Sequence, residues 1–136
     1  GIIYHGISIK PGKPTSLSQN NKTMILGLPG NPISAYAIFR SIFQKAYNKY
    51  FNIEEDLKIK CKIDRNIANN SAKTQICLVD LKKKEDELIA SPIFGFSNNI
   101  SLLKKAKGYI IIDEYTEGLR DGEDVWVSII RWEIYI

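Results

Sequence analysis

Six consecutive residues, Gly27-Leu28-Pro29-Gly30-Asn31-Pro32, have the types and the setting to hold an anion. Before them Lys22-Thr23-Met24-Ile25-Leu26 reads as a buried strand; after them, Ile33 to about Phe51 reads as an amphipathic helix. A Gly/Pro turn at the carboxyl end of a strand, opening a helix, is where open α/β sheets bind ligands. Exposed N–H groups and the positive end of the helix dipole favour negative charge there. Asn31 also fits the N-cap and Pro32 the first helical position, so these two have a structural reading beside the binding one. The charge around them agrees. Residues 1–50 hold Lys10, Lys13, Lys22, Arg40, Lys45 and Lys49 and no Asp or Glu, so they carry +6 within a chain of net +4. Such a segment suits an anionic partner, or balances an acidic neighbour.

The elements that must position this turn follow from pattern. Residues 2–9 have strand character, with Ile7 and Ile9 on one face. They end at the stiff loop Lys10-Pro11-Gly12-Lys13-Pro14, whose prolines cannot lie in a central strand. A polar stretch, residues 16–21, separates this strand from the next. Along the helix, Ala35, Phe39, Ile42 and Ala46 recur at helical spacing, as do Tyr36, Phe43, Tyr47 and Tyr50, and predict a wide packing face.

Beyond residues 52–56 the pattern changes. Leu57-Lys58-Ile59-Lys60-Cys61-Lys62-Ile63 alternates strictly, a strand with one buried and one solvated basic face. Residues 74–81 alternate too, Lys82-Lys83-Lys84-Glu85-Asp86 reads as a hairpin tip, and 88–93, 109–112 and 125–130 read as strands. Residues 99–105 read as one short helix, and Gly118 and Gly122 mark a turn region. Several short strands with one short helix predict a small β-barrel or sandwich. Cys61 and Cys77 fall on strands with no CxxC and no nearby His, which predicts reduced packing thiols, not a metal site. No apolar run is long enough to span a bilayer, no secretory signal pattern opens the chain, and the first half lacks the aromatic interleaving of a nucleic-acid binder. The chain starts without Met and almost inside a strand, which reads as a fragment.

Two motifs together resemble one family. His5-Gly6-Ile7-Ser8-Ile9-Lys10-Pro11-Gly12-Lys13-Pro14 followed by Gly27-Leu28-Pro29-Gly30-Asn31-Pro32-Ile33-Ser34-Ala35 is similar, in order and separation, to the MoeA/gephyrin molybdopterin molybdenumtransferases. The likeness continues through Phe96-Ser97-Asn98-Asn99-Ile100-Ser101-Leu102-Leu103 into the apolar 109–112, and through Glu117-Gly118-Leu119 and Gly122-Glu123-Asp124-Val125. Residues 131–136 run past the usual family end. The resemblance implies α/β followed by all-β. Residues 1–52 would close a MogA-like three-layer α/β, molybdopterin-binding domain, and 53–136 would be the C-terminal β-barrel.

It also implies a function and a site. Family members insert molybdate into the dithiolene of molybdopterin through an adenylated intermediate and form homodimers. Their cleft is shared between domains and subunits. The reduced thiols read as those of a cytoplasmic protein. The substrate-binding residues implied are Lys10, Lys13, Gly27, Pro29, Gly30, Asn31, Pro32, Ser34, Ser97 and Ser101. Lys10 and Lys13 would supply point charge to phosphate or molybdate. Gly27 and Gly30 would admit close backbone approach, and the prolines would pre-shape the loop. If both strands lie in one parallel sheet, the two loops meet at one edge. The glycines, Ser34, Ser97 and Ser101 each also fit plain turn or helix-start roles, and His5 reads as a structural or surface histidine. Magnesium is expected for the full-length family, with its acidic ligands upstream of this chain. The chain would then be inactive alone, completed by a second copy or by upstream domains, with no nucleic-acid or membrane partner. Some members carry a further lysine where this chain has Gly6, so the cleft has one positive charge fewer. The alternative function is a noncatalytic, gephyrin-like interaction or dimerisation module.

Overall fold

The computed structural model describes residues 1–54, 56–94 and 100–130. In chain order its elements are β1 (Ile2–His5), β2 (Ile9–Lys10), β3 (Ser16–Asn20), β4 (Thr23–Gly27), α1 (Pro32–Ile38), a π-helical turn (Phe39–Phe43) and α2 (Gln44–Tyr50). Then come β5 (Lys58–Ile63), β6 (Ile67–Ala68), β7 (Thr74–Lys84), β8 (Glu87–Pro92), a 3₁₀ turn (Ile100–Lys104), β9 (Gly108–Ile112), β10 (Gly118–Leu119) and β11 (Asp124–Ile129).

Period-two alternation builds the barrel. Strand neighbours run β7-β8-β5-β11-β9, and β9 pairs back onto β7, which closes the ring. The inward residues, among them Cys61, Ile63, Cys77, Val79, Leu81, Ile110, Ile112 and Val127, form one core. β7 is apolar on both faces because both are covered: Ile76 and Leu78 point outward and pack with Ala37, Ile38 and Tyr109 in a second core. The Lys58/Lys60/Lys62 row lies on the outer face, as expected. Lys60 and Lys62 reach Asp124 across the β5–β11 pair at 3.3 and 3.1 Å. The Lys62 hydrogen bond, with that from Lys60 next, holds the Asp124 carboxyl below its usual range. Cys61 and Cys77 are free, buried thiols, and burial pushes them up to about 11 and about 12.

Residues 1–52 depart from the expected α/β layer. They do not form a MogA-like three-layer unit: β1, β3 and β4 make a small antiparallel sheet beside a single interrupted helix. The polar stretch taken as a connection is the central strand β3. It is paired on both sides and turned into β4 at Asn21, whose φ is +53°. The expected strand over 2–9 is broken at Gly6 (φ +84°); β1 stays in the small sheet while β2 pairs parallel with β7 of the barrel. The run read as a buried strand is exposed at Met24 (53%) and Ile25 (47%), because no further layer covers β4 among the described residues.

The helix starts at Pro32 as predicted, but its packing face is different. Phe39, Tyr47 and Tyr50 are exposed, while Ala37 and Ile38 are buried, with Ile33, Ile42 and Phe43 packed beside them. The π turn inserts an extra residue into the helical repeat and rotates α2 away from the register that the spacing of 3.6 predicts. Ser41 Oγ donates to Ala37 O at 2.6 Å where α1 passes into that turn. Arg40 Nη2 reaches Asp56 Oδ2 in the connection before β5 at 3.7 Å, and the helix meets the barrel at Lys45 Nζ, 5.5 Å from the Tyr109 ring centroid. The lysines 82–84 lie inside β7, not in the hairpin tip; the turn is Glu85-Asp86, with Glu85 at φ +54°. The short helix predicted over 99–105 is the 3₁₀ turn, and residues 131–136 lie outside the described residues.

Candidate functional site

Antiparallel pairing brings the two motif loops together by a route other than the one expected. β1 and β4 both run opposite to β3, so they run parallel to each other with β3 between them. His5 and Gly27 are both registered on Ser16, so both chains leave the small sheet at the same edge.

The first loop is braced by its own backbone. Gly6 N–H donates to Thr15 O (2.9 Å), Ile7 N–H to Lys13 O (3.0 Å) and Thr15 N–H to Gly12 O (3.0 Å). Gly12 is the hinge of this loop, at φ +129° and buried against Ile38, where a Cβ would come within 2.6 Å of Ile38 Cγ1. Lys10 and Lys13 are exposed on either side of it. Lys10 is registered on Gln75 of β7, so the two side chains leave the sheet on one face. Among the described residues, Gln75 Oε1 and Thr15 Oγ1 are buried without a hydrogen-bond partner.

The second loop is fixed by packing and by a cap. A Cβ on Gly27 would overlap Ser16 Oγ, so the close β3–β4 approach itself requires glycine. Pro29 is buried, whereas Gly30 has open space where a Cβ would stand. Asn31 Oδ1 accepts from Ile33 N–H (3.0 Å) and Ser34 N–H (3.2 Å), and Asn31 O accepts from Ala35 N–H (2.8 Å). Pro32 has no N–H. The first-turn donors that the sequence reading offered to an anion are therefore taken by the cap. What the turn still presents is the open backbone at Gly30.

The loops converge on a cavity of about 160 Å³ between α1 and β7. Pro11, Ser34, Ile76, Leu78, Phe94 and Leu102 are among its lining residues. Of the expected site residues, Ser34 lines it and Lys10 adjoins it through Pro11. Ser101 is exposed on the 3₁₀ turn, next to lining Leu102. Ser97 lies outside the described residues. His5 is exposed at the end of β1. Sequence reasoning missed Gln75 and Thr15; the one available signal was Gln75 as a lone amide beside the apolar run of β7. Among the described residues no group of three or more His, Cys, Asp or Glu could hold a metal ion, and no helix is long and apolar enough to cross a membrane.

Comparison with known proteins agrees with this architecture. The family described as the MoeA C-terminal region (domain IV) matches residues 60–130, which span most of the barrel. MJ0666 of Methanocaldococcus jannaschii, whose name places it in molybdopterin biosynthesis, is 31% identical over 131 residues, 96% of this chain and 30% of that protein. The molybdopterin molybdenumtransferase of Bacillus subtilis is 24% identical over 136 residues, 97% of this chain and 31% of its own. The crystal structure of the molybdopterin biosynthesis MoeA protein from Pyrococcus horikoshii superposes with a TM-score of 0.78 at 27% identity, over 95% of this chain and 32% of that one. This chain thus spans about a third of the length of these relatives. The match takes in just over half of the chain, so the chain belongs to the MoeA family.

Proposed function

We propose that the chain is part of a molybdopterin molybdenumtransferase of molybdenum cofactor biosynthesis, and that its two motif loops bind the anionic substrate. The reaction inserts molybdate into the dithiolene of adenylated molybdopterin, and its molybdate, dithiolene and phosphate groups are all anionic. The observation that carries this reading is the exit of both loops at one sheet edge, in a lobe of six cations without a carboxylate. Lys10 and Lys13 supply flexible point charges, and loss of one charge-assisted contact costs about 1–3 kcal/mol. Gly30 lets a ligand approach the backbone, Pro29 and Pro32 shape the turn in advance, and Gly27 and Asn31 hold it in place. Ser34 and Ser101 flank the cavity, and Ser97 is kept with them on the resemblance alone. Magnesium, which the family implies, finds no carboxylate in residues 1–50, so the positive charge that this lobe brings to an anion is its own lysines.

Residues 53–136 act in this reading as the barrel domain and residues 1–52 as the lobe that carries the loops, in a cytoplasmic protein. Completion by a second copy or by upstream domains is supported by an apolar groove of about 690 Å³ beside the helix. Leu17, Met24, Phe39, Tyr47 and Phe51 are among its lining residues. A noncatalytic interaction module would use the same groove. Mixing the chain with the upstream portion of a full-length relative separates the two readings. Restored molybdenum insertion supports the enzyme part. Association without insertion, at saturating molybdate and adenylated molybdopterin, leaves only the module.

A further inference from the structure

The cavity between α1 and β7 differs in character from the loops around it. The lysines stay outside it, exposed, while its walls are mainly Ile33, Ile76, Leu78, Ile93, Phe94 and Leu102. Besides the Gln75 amide, which is among the lining residues, two polar features break this apolar lining. Ser34, 7% exposed, brings a hydroxyl into the wall. The second is a gap in the sheet. β2 covers one edge of β7 as far as Gln75, and β8 covers it only from Val79. Among the described residues, 76–78 have no strand partner on that edge, and all three line the cavity. Leu78 O accepts from Ile93 N–H (2.9 Å) there, which fixes the direction of the backbone. The C=O of Ile76 and the N–H of Leu78 face the same edge.

An apolar slot of this size, walled on one side by a strand edge that alternates acceptor and donor, is matched to a flat ring with an amide-like edge. A dry apolar cavity of about 150 Å³ holds one benzene ring, so this one takes one ring of a fused heteroaromatic pair and leaves the other at its mouth. A hydrated oxyanion, by contrast, would lose its water against isoleucine and leucine without a cation in the wall. We propose that this cavity is a ring-binding subsite. It takes the flat heteroaromatic part of the substrate against the uncovered edge of β7 and the Ser34 hydroxyl, while the anionic part stays outside at Lys10. This rests on the reading of the loops as an anion site and divides the ligand between two places.

The test uses the whole chain with separate probes. Fluorescent pterin-6-carboxylate and adenosine monophosphate present the two rings that the adenylated substrate carries; inorganic molybdate presents an anion without a ring. Ala37, 1% exposed, lines the cavity, and Ala37→Leu fills it. The expected result is a ring probe that binds the wild type and binds Ala37→Leu at least about tenfold more weakly. Molybdate binding stays unchanged and the melting temperature does not fall, since the added carbons enter existing space. Should that variant fail to fold, Ser34→Ala, which changes no volume of note, serves instead, with several-fold weaker ring binding. Which ring binds identifies its source. Ring binding equal to wild type in a folded variant overturns the proposal. So does molybdate binding that needs Lys10 with no binding of either ring, an outcome that leaves the anion site standing. If neither molybdate nor a ring binds, both readings fall.

Discussion

Replacing Gly12 by alanine should loosen the lysine loop from the helix. Gly12 sits between Lys10 and Lys13 at φ +129°, a backbone region that L side chains rarely adopt. Holding an alanine on the wrong side of φ costs about 1–2 kcal/mol. The added Cβ would also stand 2.6 Å from Ile38 Cγ1 and closer still to its Cδ1. Ile38 is completely buried, so it cannot swing into solvent, and crowding one methyl into a packed core costs about 1–3 kcal/mol. Together the two terms predict a loss of about 2–5 kcal/mol, a large share of the 5–15 kcal/mol typical of a folded domain. Urea unfolding reads this as a lower midpoint with unchanged slope. Gly30→Ala is the internal control: its Cβ meets nothing within 4 Å, so stability should move by no more than about 0.5 kcal/mol. A Gly12→Ala variant as stable as Gly30→Ala would refute the reasoning, because it would mean that the loop does not press on Ile38.

Asn31→Ala removes an acceptor of two helix N–H bonds and should lower stability by about 1 kcal/mol in the same assay. Leu81→Ala empties a fully buried position in the barrel and should cost about 2–5 kcal/mol, read by thermal unfolding. The thiols predict a pH dependence. Burial raises Cys61 to about 11 and Cys77 to about 12 from an ordinary 9.0. The unfolded chain therefore releases these protons first as pH rises. Stability from this source is complete below pH 9.0 and falls as pH climbs toward about 11 and 12. Below pH 9.0 a disulfide reagent should leave both thiols unmodified in the native chain and modify both after unfolding.

The barrel was legible because period-two alternation is local. Lys58 to Ile63 declares its inner and outer faces residue by residue, and the structure keeps them. The Asn31 cap and Pro32 start were legible for the same reason, since a helix end is set by neighbours two or three residues away. The first lobe was not legible in the same way. Leu17 is the only large apolar side chain in β3, and that strand is held by backbone pairing on both edges, which hydropathy does not record. The break at Gly6 sends β2 to another sheet, a tertiary choice made by Ile7 and Ile9 packing on the helix cluster. The helix face was misread because the π turn changes the period midway, and no residue type signals that insertion. At the site, the motif residues were readable as a set, but the cavity behind them was not. It arises where the pairing of β7 with β2 stops before its pairing with β8 begins, a fact of register rather than composition.

The most direct test of the central claim is a calorimetric titration of the chain with molybdopterin, wild type against Lys10→Ala, with folding of both checked by circular dichroism. If the two motif loops form the anion site, the wild type binds and Lys10→Ala binds roughly 5- to 150-fold more weakly, the equivalent of about 1–3 kcal/mol. Equal binding by a folded Lys10→Ala, or no binding by the folded wild type, would contradict it.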